Sequence, residues 1–92
     1  MIKSLIHHKV EDYKKWKTAF DDFAEMRKKF GEQRYSIGTV NNDAHIVYVI
    51  NEWKSIGDLQ KFLDAPELAT AMKNAGVLEA PNVLILNEVE SG

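Results

Sequence analysis

The most sharply patterned stretch of the chain is His45-Ile46-Val47-Tyr48-Val49-Ile50-Asn51-Glu52-Trp53, a run of strand-forming residues with no Gly or Pro inside it. Alternate side chains on a strand point to opposite faces, so Ile46, Tyr48 and Ile50 share one face and Val47, Val49 and Trp53 the other. Both faces are apolar, and both call for cover. Upstream, Ile2 to Val10 reads as a first strand, with Ile2, Ile6, His8 and Val10 on one face and Leu5 and His7 on the other. From Asp12 to Phe30 the period lengthens. Tyr13, Trp16, Phe20, Phe23 and Phe30 fall at helical spacing, Asp12 is placed to cap the start, and Gly31 stands where a left-handed residue ends a helix. Gln33 to Val40 predicts a second strand, joined by Asn41-Asn42-Asp43 to the third. Ser55-Ile56-Gly57-Asp58 resembles a capping box ahead of Leu59, Phe62 and Leu63. Pro66 restarts the helix, Leu68, Ala69 and Met72 form its buried side, and Gly76-Val77 closes it. Beyond Pro81, Val83 to Val89 predicts a fourth strand, apolar on both faces.

The order β-α-β-β-α-β predicts one α+β domain over residues 1–92, ferredoxin-like, with a four-stranded antiparallel sheet and its helices on one face. An antiparallel sheet with one wet face should alternate apolar with polar, and strands three and four do not. If Val47, Val49, Leu84 and Leu86 stayed in water, each would forgo roughly 1.5–3 kcal/mol of burial. That loss is large against a total stability of about 5–15 kcal/mol. A second copy packed sheet against sheet recovers it symmetrically, so a homodimer is expected. The alternative is that helix ends and loops wrap round to shield these residues.

Composition narrows the field. With no cysteine, neither disulfides nor thiolate metal sites can reinforce so small a core. The net charge of −2 offers no electrostatic reason to expect nucleic acid or an anionic membrane as partner. No apolar run approaches the roughly 20 residues of a membrane span, and the N-terminus lacks the features of a signal peptide. The expected compartment is the cytoplasm.

Candidate chemistry centres on His8. His7 and His8 are adjacent on a strand and point to opposite faces, so they cannot chelate one metal together, and no metal site is expected. His8 shares a face with Ile6 and Val10, towards the helices, where it could act as a general base near neutral pH. The competing reading is a partly buried histidine bonded to backbone or to a tyrosine. Trp53 could wall a pocket with its flat surface and indole donor, or serve the core or the dimer contact. Arg27 could bind an anionic ligand group, snorkel to solvent, or pair with a carboxylate such as Glu52. Phe20, Phe23, Tyr48, Phe62 and Met72 are candidate ligand-lining residues that also suit a core, and a pocket made of them would favour a small, flat, apolar ligand. An RNA-binding domain of the same strand order needs aromatic residues for base stacking on its first and third strands. Ile2 to Ile6 has none, and that reading is rejected.

His8-Lys9-Val10-Glu11-Asp12-Tyr13-Lys14-Lys15-Trp16-Lys17 leading to Phe20, then Glu52-Trp53, then Ala71-Met72 with Ala75-Gly76-Val77, resemble the dimeric α+β barrel superfamily. Within it the sequence is most similar to an uncharacterised "cyclase"-like group akin to antibiotic biosynthesis monooxygenase domains. The resemblance implies a homodimer whose sheets meet as a barrel, with a pocket between each sheet and its helices. It further implies a cofactor-independent monooxygenase or cyclase acting on a small aromatic or polyketide-like compound, or else a non-catalytic small-molecule-binding or accessory dimer. On the catalytic reading His8 would move the proton, while Trp53 and Arg27 orient the substrate. Trp and Asn side chains are implicated in the family's cofactor-free oxygenases; Asn51 and Trp53 lie nearby without a secure alignment onto those positions, a departure that weakens the monooxygenase reading. Haem-degrading members use a histidine after the third strand. From Lys54 to Gly92 there is none, which argues against haem.

Overall fold

In the computed structural model, which describes residues 2–92, the helices arise where the apolar period is near 3.6 and the strands where it is 2. In chain order these are β1 (Ile2–Lys9), α1 (Tyr13–Asp22), α2 (Ala24–Lys29), β2 (Glu32–Val40), β3 (Asp43–Trp53), α3 (Ile56–Asp64), α4 (Pro66–Asn74) and β4 (Asn82–Asn87). The strands form one antiparallel sheet in the order β2-β3-β1-β4. This is the expected ferredoxin-like α+β arrangement.

The predicted end signals act as their chemistry requires. Asp12 accepts from the backbone N–H of Lys15 at 3.0 Å, and Ser55 from that of Asp58 at 3.1 Å. At the end of α4, Gly76 takes φ +80°, and Val77 N donates to Met72 O at 3.1 Å, which closes a Schellman turn. The helix expected as one piece from residue 12 to residue 30 is instead broken at Phe23 (φ −89°, ψ 2°) into α1 and α2. No proline causes the break. The Arg27 guanidinium reaches back to the Phe20 carbonyl, which belongs to the helical ladder, and a side chain inserted there bends a helix.

Which face of β3 is covered reverses part of the sequence expectation. Val47, Val49, Asn51 and Trp53 are buried beneath the helices, beside Ser4, Ile6, His8 and Val10. Ile46, Tyr48 and Ile50 lie on the outer face. The register fixes this: Ile6 pairs with Val49, while Leu5 pairs with both Ile50 and Leu84. Val47 and Val49 therefore belong to the core and not to the bare face with Leu84 and Leu86. The bare face instead carries Leu5, Ile46, Tyr48, Ile50, Leu84 and Leu86, and Leu84 is 55% exposed.

Candidate functional site

Between the sheet and the helices lies a cavity of about 70 Å³, walled mainly by Ile6, Trp16, Phe20, Phe23, Val49, Phe62, Leu68 and Met72. Three polar side chains reach its lining: His8, Arg27 and Asn51. The elements explain the convergence. His8 and Asn51 occupy positions on β1 and β3 that point under the helices, and the break at Phe23 turns Arg27 of α2 inward.

His8 is 4% exposed, and among the described residues neither of its ring nitrogens meets a hydrogen-bond partner. Its nearest aromatic neighbour is Trp16, edge-on at 6.0 Å between ring centroids. Burial pushes the imidazole pKa below its ordinary value; nearby His7 adds to this and Glu79 opposes it. The ring is thus neutral near pH 7, with one nitrogen free to accept a proton.

A continuous buried polar chain crosses the other end. Trp53 Nε1 donates to Ser4 Oγ at 2.9 Å, and Ser4 Oγ donates to Asn51 Oδ1 at 3.1 Å. Asn51 Nδ2 donates to Glu32 Oε2 at 2.6 Å. Arg27 Nε lies 3.1 Å from both Glu32 oxygens, and its guanidinium carbon stacks 3.6 Å above the centre of the Phe20 ring. The carboxylate expected to pair with Arg27 was Glu52. Instead Glu52 points to the outer face, where it meets Lys3 and Arg34, and Glu32 takes its place.

Of the residues expected at the site, His8, Arg27, Phe20, Phe23, Phe62 and Met72 line the cavity together. Trp53 does not. It is buried beside the cavity, packed against Leu59 and Phe62, with its indole N–H already committed to Ser4. Tyr48 lies on the opposite face of the sheet, where its ring covers Gly38; a Cβ built on that glycine would fall 2.5 Å from the ring. His45 sits outside the cavity, its Nδ1 3.1 Å from the Val10 carbonyl oxygen. Glu32 and Ser4 were not anticipated. A polar Ser4 and a polar Asn51 on otherwise apolar strand faces were the available signal, since buried polar groups need partners. Among the described residues no group of three His, Asp or Glu side chains is placed to hold a metal ion, and no helix is long and apolar enough to cross a membrane.

No protein-family model matches the sequence, and a search of curated proteins gives no match. Solved structures do match in fold over nearly the whole chain. A protein from Bordetella bronchiseptica assigned as an antibiotic biosynthesis monooxygenase superposes with a TM-score of 0.81 at 10% identity, covering 97% of each chain. SnoaB, a cofactor-independent oxygenase from Streptomyces nogalater, superposes with a TM-score of 0.80 at 11% identity, covering 98% of this chain and 94% of its own. A protein from Caulobacter crescentus CB15, likewise assigned as an antibiotic biosynthesis monooxygenase, gives 0.76 at 19% identity, with 97% and 90% covered. The fold is therefore that of antibiotic biosynthesis monooxygenase domains, as the sequence resemblance implied.

Proposed function

We propose that this chain binds a small aromatic compound in the cavity beneath its helices and acts on it as a cofactor-independent monooxygenase or cyclase. The observation that carries the reading is His8: a neutral imidazole, almost wholly buried, with both nitrogens unpartnered among the described residues in a mainly apolar cavity. A buried polar group without a partner costs stability, roughly 1–3 kcal/mol, so its retention calls for a functional account. His8 is the general base, and it removes an acidic C–H or O–H proton from the bound ring. An electron-rich carbanion or phenolate can then react with oxygen directly. For an anthrone, one oxygen atom replaces the methylene hydrogens as a carbonyl and the other leaves with them as water, so no external reductant is required. Likeness in fold to SnoaB supports this class of reaction. Arg27 lines the cavity and anchors the polar chain that borders it, while Trp53 acts only through that chain.

The cavity, at about 70 Å³, is smaller than the roughly 300–1,000 Å³ usual for ligand pockets. Binding therefore requires the wall to give, and Met72, with its flexible thioether chain on α4, is the part best able to do so. The small volume also favours the second reading, a non-catalytic dimer stabilised by a small ligand. Oxygen uptake with anthrone and quinol substrates separates the two. Turnover that falls by about 10²–10⁴-fold in His8→Ala supports the base; an equally active variant removes His8 from the role.

We further infer a homodimer formed through the outer sheet face, with the cytoplasm as its compartment. Leu84 and Leu86 are exposed on the outer side of β4 and Ile85 on its inner side, so an edge strand is bare on both faces. A second copy covers such a strand and its neighbours Leu5, Tyr48 and Ile50 in one self-complementary contact.

A further inference from the structure

The buried polar chain has a direction. An indole N–H can only donate, so Ser4 Oγ accepts from Trp53 and its single proton is left for Asn51 Oδ1. At the far side the Glu32 carboxylate, gripped by Arg27, can only accept, and it takes one N–H from Asn51 Nδ2. The Asn51 carboxamide is therefore held from both ends, oxygen to Ser4 and nitrogen to Glu32. Its nitrogen carries a second proton. Asn51 is 2% exposed and lines the cavity, and among the described residues Glu32 alone accepts from Nδ2.

We propose that Glu32 is a positioning residue that makes Asn51 a hydrogen-bond donor to this cavity, so that the site selects ligands bearing an accepting oxygen, such as a ketone or quinone carbonyl, over hydrocarbons of the same shape. The inference rests on the reading that the cavity takes a small aromatic ligand. It does not rest on His8. In the sheet register Asn51 lies opposite Ser4 and His8 opposite Val47. Four residues of strand separate the two, about 13 Å at roughly 3.3 Å per residue. A single-ring ketone can thus meet Asn51 without touching the base. Turned the other way, the amide would present its carbonyl and favour donors instead. The charge on Glu32 is what forbids that turn, because a carboxylate oxygen and a carbonyl oxygen can both only accept, and facing each other at hydrogen-bond distance they repel.

The test uses acetophenone and ethylbenzene, which differ by a carbonyl in place of a methylene, with dissociation constants measured by NMR titration of the full chain. The wild-type ratio of the two constants is compared with that of Glu32→Gln, whose side chain can donate as well as accept and so frees the amide to turn. The unequal hydrophobicity of the probes cancels between proteins. The preference for acetophenone should fall about fivefold in Glu32→Gln, as expected for one neutral hydrogen bond, while ethylbenzene binds within twofold of wild type. Asn51→Leu, which removes the donor and leaves the ion pair, should flatten the preference equally. Trp53→Phe should keep it, because Glu32 still holds the amide. A Glu32 of merely structural importance would weaken both probes together and leave the ratio unchanged, which overturns the proposal. So does a preference that survives in Asn51→Leu. Failure of both probes to bind the wild type overturns the proposal together with the cavity reading. The predicted shift in ratio without any oxygen uptake upholds it and removes only the catalytic reading.

Discussion

Asn51 Nδ2 stands 2.6 Å from Glu32 Oε2, and through that contact a residue of β3 is tied to the ion pair that ends α2. Glu32 and Arg27 have side chains only 4% exposed, so neither charge has much water to fall back on. Removing one partner strands the other. Arg27→Met should cost about 3–5 kcal/mol, whereas Arg27→Met with Glu32→Leu should recover much of that loss. Denaturant unfolding of the single and double variants checks this. A double variant as unstable as the single one would show that the pair contributes more than mutual neutralisation.

The depressed pKa of His8 makes stability depend on pH. The folded state resists protonation by burial, while the unfolded chain takes up a proton near the ordinary imidazole value of about 6.5. Between that value and the lower folded-state pKa, the unfolded state binds more protons. Stability contributed by neutral His8 is therefore intact above about pH 6.5 and declines as the pH falls below it. Thermal unfolding from pH 7.5 to 5.5 should show a falling midpoint in the wild type and a flatter profile in His8→Phe. Parallel profiles would mean that other groups set the dependence.

Gly38 and Tyr48 make a prediction confined to the outer face. A methyl group at residue 38 would lie 2.5–2.7 Å from atoms of the Tyr48 ring, too close for contact. Gly38→Ala should cost about 1–3 kcal/mol as overpacking, and Tyr48→Ala should relieve it. Chemical denaturation of the two singles and the double gives the coupling; additive losses would show that the ring is free to move aside.

The two faces of the sheet predict opposite fates for two charge substitutions. Val49→Lys places an ammonium in the core beside Trp16 and Val47, and it should prevent folding. Leu84→Glu touches only the exposed outer face and should leave a folded monomer. Circular dichroism with analytical ultracentrifugation distinguishes the cases. A wild type that sediments as a monomer at tens of micromolar would end the dimer proposal.

These same residues mark where the sequence could be read and where it could not. Element order, caps and the Gly76 turn were legible because each depends on a few neighbouring residues. The relative facing of Val49 and Leu84 was not. Period-2 alternation tells which residues of one strand share a face, but only the pairing of Leu5 with Leu84 and of Ile6 with Val49 relates one strand to the next. With apolar residues on both sides of β3, hydrophobicity gave no preference, and Tyr48 was assigned to the cavity for the same reason. The site divides similarly. His8 and Arg27 were found by type and position, whereas Glu32 meets Arg27 only after the chain reverses through Gly31 at φ +107°, a juxtaposition no helical spacing encodes.

The proposed chemistry turns on His8 offering a neutral, unclaimed nitrogen to whatever enters the cavity. The most direct measurement is the nitrogen chemical shift of the His8 imidazole at pH 7, recorded with and without added phenol as a proton-donating ring. The ring should be neutral in the free protein, and its unprotonated nitrogen should shift towards the protonated position when phenol binds. An imidazolium in the free protein, or a ring indifferent to phenol at concentrations that perturb Trp16 and Phe20, would contradict it.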